Sequence, residues 1–104
     1  MTRRYSAGVR QHAKRDQNQS EIMAAFQKLG SEAVDTTSVG AGFPDLAVPI
    51  CGHTVLVEVK AEDKGLDPAQ LLFLREWRGG PVRLARNVDD VVTIVEEFRG
   101  KVRE

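Results

Sequence analysis

Two carboxylates and a lysine stand inside the most apolar stretch of the chain, GFPDLAVPICGHTVLVEVK, residues 42–60: Asp45, Glu58 and Lys60, set among Leu, Val and Ile. An unpaired buried carboxylate costs several kcal/mol or takes up a proton, so the placement asks for a reason. Cys51-Gly52 can close a two-residue hairpin, with the glycine supplying positive φ. Ile50 then pairs with His53, and Asp45 falls opposite Glu58. Directly opposed residues share a face, with Cβ atoms about 4.5–5.5 Å apart. Lys60, two residues beyond Glu58, shares that face. Two close carboxylates repel unless a proton or a cation lies between them. A hard divalent cation such as Mg²⁺ or Mn²⁺ takes oxygen ligands and suits the pair. Such an ion would hold a phosphate oxygen, acidify a bound water and clamp the scissile group. Lys60 could then orient the attacking water or offset charge on a pentavalent transition state. The plainer reading makes Asp45 and Glu58 strand-end residues in surface ion pairs with Lys60 and Arg83, and spacing alone does not separate the two.

The elements that must position these groups follow from periodicity. From about Asn18 a helix is expected, with Ile22, Phe26 and Leu29 on one apolar face, Met23 and Ala25 at its edges, and Gly30 as its stop. AVDTTS (33–38) reads as a short strand, followed by the loop VGAGF, where Gly40 and Gly42 permit unusual backbone angles. DLAVPI (45–50) and HTVLVEVK (53–60) read as two strands, apolar and β-branched. AEDKGLD (61–67) is a charged loop, with Asp67 placed as N-cap and Pro68 at the first helical position. The second helix is expected to run to about Arg78, with Leu71, Leu74 and Trp77 as its packing stripe beside Leu72 and Phe73. Gly79-Gly80-Pro81 breaks it. VRLAR (82–86) is a fourth strand. Asn87 or Asp89 caps a last helix whose face is Val91, Ile94, Val95 and Phe98. The order is αβββαβα.

At 104 residues the chain has room for one modest core and hence one domain. Its formal net charge is zero but unevenly spread: residues 1–15 hold Arg3, Arg4, Arg10, Lys14 and Arg15 and no acid, so a basic arm precedes an acidic body. The expected division is an arm, residues 1–16, and a single domain, residues 17–104. The one cysteine, Cys51, rules out an internal disulfide and a Cys-based zinc site. No apolar run approaches the roughly 18 residues of a membrane span, and the basic N-terminus lacks the apolar segment of a secretory signal. The expectation is a cytoplasmic protein with no membrane association and no nucleotide cofactor.

Taken together, Gly42-Phe43-Pro44-Asp45, Glu58-Val59-Lys60 and Gln70 on the following helix resemble the PD-(D/E)XK nuclease superfamily, and within it the VRR-NUC domains, whose pattern reads G-x-PD, E-V-K and a Gln shortly after. The resemblance covers roughly residues 20–98, and the element order agrees by a separate route. It implies an α/β fold with an αβββαβ restriction-endonuclease-like core, a mixed central sheet flanked by helices. It also implies that Asp45, Glu58 and the Val59 carbonyl bind one or two Mg²⁺ or Mn²⁺ ions, that Lys60 is the catalytic lysine, and that Gln70 reaches back to the site. Glu21 on the first helix matches the acid that contributes through water or a second metal, with Asp16 and Glu32 as alternatives.

The implied activity is metal-dependent DNA endonuclease. No zinc finger, helix-turn-helix or base-stacking surface is evident, so cleavage directed by DNA structure is expected over cleavage at a sequence. Small proteins of this kind are similar to Holliday-junction resolvases, which cut two symmetric strands and call for a twofold homodimer. Phe73, Trp77, Val92 and Phe98 offer apolar surface for one, unless the core takes them. The basic arm would contact the DNA backbone. The alternatives are a nuclease for flaps, nicked duplex or single strands, and a non-catalytic DNA-binding module of the same fold. His53 and Cys51 are expected to be turn residues outside the chemistry, and Trp77 to pack against the sheet.

Overall fold

The computed structural model describes residues 13–101, with side chains from Gln17 onward. Arg3, Arg4 and Arg10 of the basic arm lie outside the described residues, as do the side chains of Lys14 and Arg15. The elements are α1 (Ala13–Lys28), β1 (Val34–Asp35), a 3₁₀ turn (Thr37–Val39), β2 (Leu46–Ile50), β3 (His53–Val59), α2 (Pro68–Glu76), β4 (Val82–Ala85) and α3 (Val88–Arg99). The sheet order is β1-β2-β3-β4. β1, β2 and β3 are antiparallel neighbours, and β4 joins β3 in parallel, so the sheet is mixed.

The hairpin has the expected register: Ile50 faces His53 and Leu46 faces Val57. Its turn places both Cys51 (φ 50) and Gly52 (φ 84) in the left-handed region. That is the backbone of a type I′ turn, whose twist matches the strands it joins.

Alternation along the strands separates two faces. Leu46, Val48, Ile50, Val55, Val57, Val59 and Ala85 point to one side, where Ile22 and Phe26 of α1 and Val91, Ile94, Val95 and Phe98 of α3 cover them. This is the core, and the apolar stripes expected for both helices are the ones it uses. The opposite face carries Leu56, Glu58, Val82 and Leu84, and α2 lies over it.

Three expectations need correction. α1 is already helical at Ala13, upstream of the expected start near Asn18, so it takes in residues assigned to the arm. The first strand is only two residues long, because Asp35 accepts bonds from the Thr37 N–H (2.9 Å) and hydroxyl (2.6 Å) and turns the chain into the 3₁₀ segment. The stripe of α2 is also shifted. Leu71, Leu72 and Leu74 are 55, 50 and 43 % exposed, and the helix docks instead through Gln70, Phe73 and Trp77. Phe43 sets that phase, meeting Phe73 edge-on at 5.3 Å and Trp77 at 6.1 Å, while Phe73 and Trp77 stack at 4.9 Å.

Candidate active site

Asp45 and Glu58 are 5 and 6 % exposed, the only charged side chains in the buried set among the described residues. Extending the β2–β3 register by one pair sets them opposite one another at the end of the hairpin far from its turn. Each is held by a neutral donor. The Val59 N–H donates to Asp45 Oδ2 at 2.9 Å. The Gln70 amide donates to Glu58 Oε2 at 2.6 Å. The first bond replaces a rung of the ladder: the Pro44 carbonyl, which a continuing strand would offer to Val59, instead accepts the Thr36 hydroxyl at 2.7 Å. An extended residue sends its N–H and C=O off the same strand edge, so the Val59 carbonyl leaves β3 on the side of Asp45.

Gln70 has two tasks. It is the third residue of α2, where its Oε1 accepts the Asp67 N–H at 2.9 Å while Asp67 Oδ1 accepts the Gln70 N–H at 2.9 Å. This is a reciprocal capping box. With Oε1 committed to the helix start, the amide nitrogen is oriented toward Glu58. The loop before Asp45 is fitted to the same helix. Gly42 has φ 79, and a Cβ there would stand 2.4 Å from the Ala69 carbonyl oxygen. A glycine is required twice over, by backbone angle and by contact. Gly42, Pro44, Glu58, Leu66, Gln70, Phe73, Leu74 and Val82 line a narrow cleft between α2 and the sheet.

Lys60 follows the last residue of β3 and is half-buried. Its N–H donates to the Ala85 carbonyl at 3.1 Å, and its carbonyl accepts the Asn18 side-chain amide at 3.2 Å. Asn18 was missed by the sequence reading, though a signal was present: it lies four residues before Ile22, a polar residue in phase with the apolar stripe of α1. Glu21 is exposed and faces the groove between α1 and α3 with Lys28, Val88 and Val92. Among the described residues no three His, Cys, Asp or Glu side chains are gathered tightly enough to hold a metal.

Arg83, the other cation of the plain reading, belongs to the opposite face. It makes a two-pronged bond to Glu97, at 3.0 and 2.6 Å, and lies over the Phe98 ring at 5.0 Å. The hydrogen bond from Arg83 holds the Glu97 carboxyl down at about 2, and the same bond raises the Arg83 pKa. His53 packs on Phe98 at 5.3 Å and its Nε2 meets the Lys101 carbonyl. Cys51 is exposed at the turn.

The donor set suits a hard cation. Two carboxylates from adjacent strands and one backbone carbonyl are all oxygen ligands, already oriented by bonds to their other atoms.

No protein-family model matches the sequence, and no curated protein does. Among solved structures, one described as "VRR_NUC domain" superposes with a TM-score of 0.65 at 27 % sequence identity, covering 82 % of this chain and 97 % of that one.

Proposed function

The chain belongs to the VRR_NUC domain family, with the restriction-endonuclease-like α/β fold, and from that premise we propose that it is a metal-dependent endonuclease hydrolysing DNA phosphodiesters, selective for branched DNA. One observation carries the reading: two buried carboxylates opposed across a hairpin, one oriented by the Val59 N–H and the other by Gln70.

Asp45, Glu58 and the Val59 carbonyl would hold one or two Mg²⁺ or Mn²⁺ ions. When bound, these supply Lewis acidity toward a phosphate oxygen and a water more easily deprotonated than bulk water. The remaining work is the chain's own. Burial of Asp45 and Glu58 removes competing water and strengthens their field. The Val59 N–H and the Gln70 amide keep each carboxylate from rotating, so no reorganisation is needed as charge develops. The Lys60 ammonium orients the attacking water in line with the leaving oxygen and offsets charge on the pentavalent phosphorus of the transition state. The bonds to its backbone from Asn18 and Ala85 fix the point from which that side chain reaches.

Cutting both strands of a symmetric junction requires two such sites, hence a homodimer. Phe98, at 3 % exposure, belongs to the core, and Phe73 and Trp77 are engaged with Phe43. Of the residues expected there, Val92 stays exposed on α3, and on α2 the apolar surface open to a second copy is Leu71, Leu72 and Leu74. The basic arm is assigned to non-specific backbone contact, which weakens steeply with salt.

The test is cleavage of a labelled four-way junction in Mg²⁺, beside linear duplex, flap and single-strand controls, a chelator arm and a folded Glu58→Ala protein. Paired symmetric nicks lost with chelator and with the variant are expected. Cleavage of flap or duplex in preference to the junction overturns the substrate. Binding without cleavage, unchanged by chelator, makes the domain a non-catalytic DNA-binding module.

A further inference from the structure

We infer that Arg86 is a positioning residue that locks the loop between Lys60 and α2, and thereby sets both Lys60 and Gln70; the inference rests on the endonuclease reading for its effect on rate, and on geometry for the lock itself. Arg86 follows the last residue of β4. Its Nη1 donates to three main-chain carbonyls of one loop: Ala61 at 2.5 Å, Glu62 at 3.3 Å and Lys64 at 2.6 Å. Within the loop, the Lys64 N–H donates to the Ala61 carbonyl at 3.2 Å. Three carbonyls turned inward present the negative ends of their dipoles to a single point, and a guanidinium that stays charged at any working pH satisfies them there.

The clamp is itself anchored. The Arg86 N–H donates to the Asp90 carboxylate at 2.8 Å. Asn87, which caps α3 by accepting the Asp90 N–H at 2.9 Å, extends its amide to Glu62 Oε2 at 2.7 Å. One residue earlier, the Ala85 carbonyl receives the Lys60 N–H at 3.1 Å. The start of α3 thus grips the loop through a side-chain contact and three carbonyls, immediately beside the bond that fixes Lys60.

What the loop joins gives the grip its consequence. It leaves β3 at Lys60 and enters α2 at Asp67, whose capping box orients Gln70 onto Glu58. α2 buries none of its residues, so its own packing holds its N-terminus weakly. A loop free to shift by an ångström would carry Gln70 off Glu58, and displacement on that scale is worth roughly a hundredfold in rate. Arg86 acts through Lys60 and Gln70 and is not assigned any contact with DNA.

The experiment compares wild type, Arg86→Met and Arg86→Lys by amide hydrogen exchange and by steady-state cleavage of the junction in Mg²⁺. In Arg86→Met, the amides of residues 61–70 should exchange at least about tenfold faster while those of β2, β3 and the body of α3 stay within about twofold. kcat should fall about ten- to a hundredfold with KM within about twofold, and Arg86→Lys should restore part of both losses. A raised KM with kcat unchanged would make Arg86 a substrate contact and overturn the inference. Faster exchange spread evenly over the fold, or exchange unchanged at 61–70, would overturn it too. If Arg86→Met does not fold, the same criteria apply to Arg86→Lys against wild type. If the wild type cuts no DNA, the endonuclease reading fails by itself, and the exchange data alone decide the clamp.

Discussion

On one face of the sheet, α1 and α3 close over seven strand residues and exclude solvent from nearly all of them; on the other, α2 meets Glu58 of β3 through Gln70, rests on the loop residue Phe43 through Phe73 and the capping Trp77, and leaves three leucines in water. The first face contributes stability through apolar area, at about 25 cal/mol for each Å² removed from water. The second contributes little area and holds the only two buried carboxylates among the described residues. A thick layer there would bury Asp45 and Glu58 beyond the reach of a phosphate. A thin one lets a single polar side chain, Gln70, orient Glu58 at the cleft edge, while the Val59 N–H holds Asp45. Stability and candidate chemistry are thus assigned to opposite sides of the same strands, and Leu56, Val57 and Glu58 alternate between the two duties.

Substitutions can test that division. Glu58→Gln, which keeps the side chain's shape and an oxygen to accept from Gln70, should lower Mg²⁺-dependent cleavage by at least roughly a hundredfold while the protein stays folded by circular dichroism; loss of the fold would mean that the carboxylate is structural. Phe26→Ala, on the closed face, should cost about 3–5 kcal/mol by denaturant unfolding while cleavage per folded molecule is unchanged. Gly42→Ala sits at the seam. Its positive φ and the 2.4 Å approach to Ala69 predict a loss of about 1–3 kcal/mol, together with a drop in kcat as α2 is pushed from Asp45.

Acid titration adds a smaller effect on the closed face. The Glu97 carboxyl, ordinarily near 4.5, is held at about 2 by Arg83. The stability it contributes is fully present above its ordinary value and is lost as pH falls from there toward about 2. Glu97→Gln should flatten the pH dependence of the unfolding midpoint in that window and leave it unchanged near neutrality in slope. The smallest effect expected is Leu72→Ser, within about 0.5 kcal/mol for the monomer because the side chain is half exposed. If it instead destabilises in a concentration-dependent way by analytical ultracentrifugation, α2 is covered by a second copy.

The closed face was readable in the sequence because its signals are local and periodic. Ile22 and Phe26, Val91 with Ile94, Val95 and Phe98, and the register that opposes Asp45 to Glu58 all follow from spacing of 3.6 or 2 residues. The open face was harder to read. The stripe Leu71, Leu74 and Trp77 satisfies helical spacing as well as Gln70, Phe73 and Trp77 does, and only the Phe43 ring and the bond to Glu58 choose between them. Glu21 shows the same ambiguity from the other side, since every exposed helix carries acids. Asn18 and Arg86 act through main-chain carbonyls 42 and 25 residues away or less, contacts that leave no periodic trace. Gly42 was visible as a glycine, but its contact with Ala69 was not.

The hairpin turn has a practical consequence at the far end of the strands. Cys51 carries the chain's one thiol, exposed and set in a left-handed conformation that suits Asn or Gly better. Seven extended residues, at about 3.3 Å each, separate it from Glu58, a span of roughly 23 Å. A maleimide dye or spin label placed there needs no engineered cysteine and stands clear of the acidic cleft. Two such labels, one per copy, would turn the separation between hairpins into a direct spectroscopic ruler that tests the proposed seating of two chains on one branched DNA.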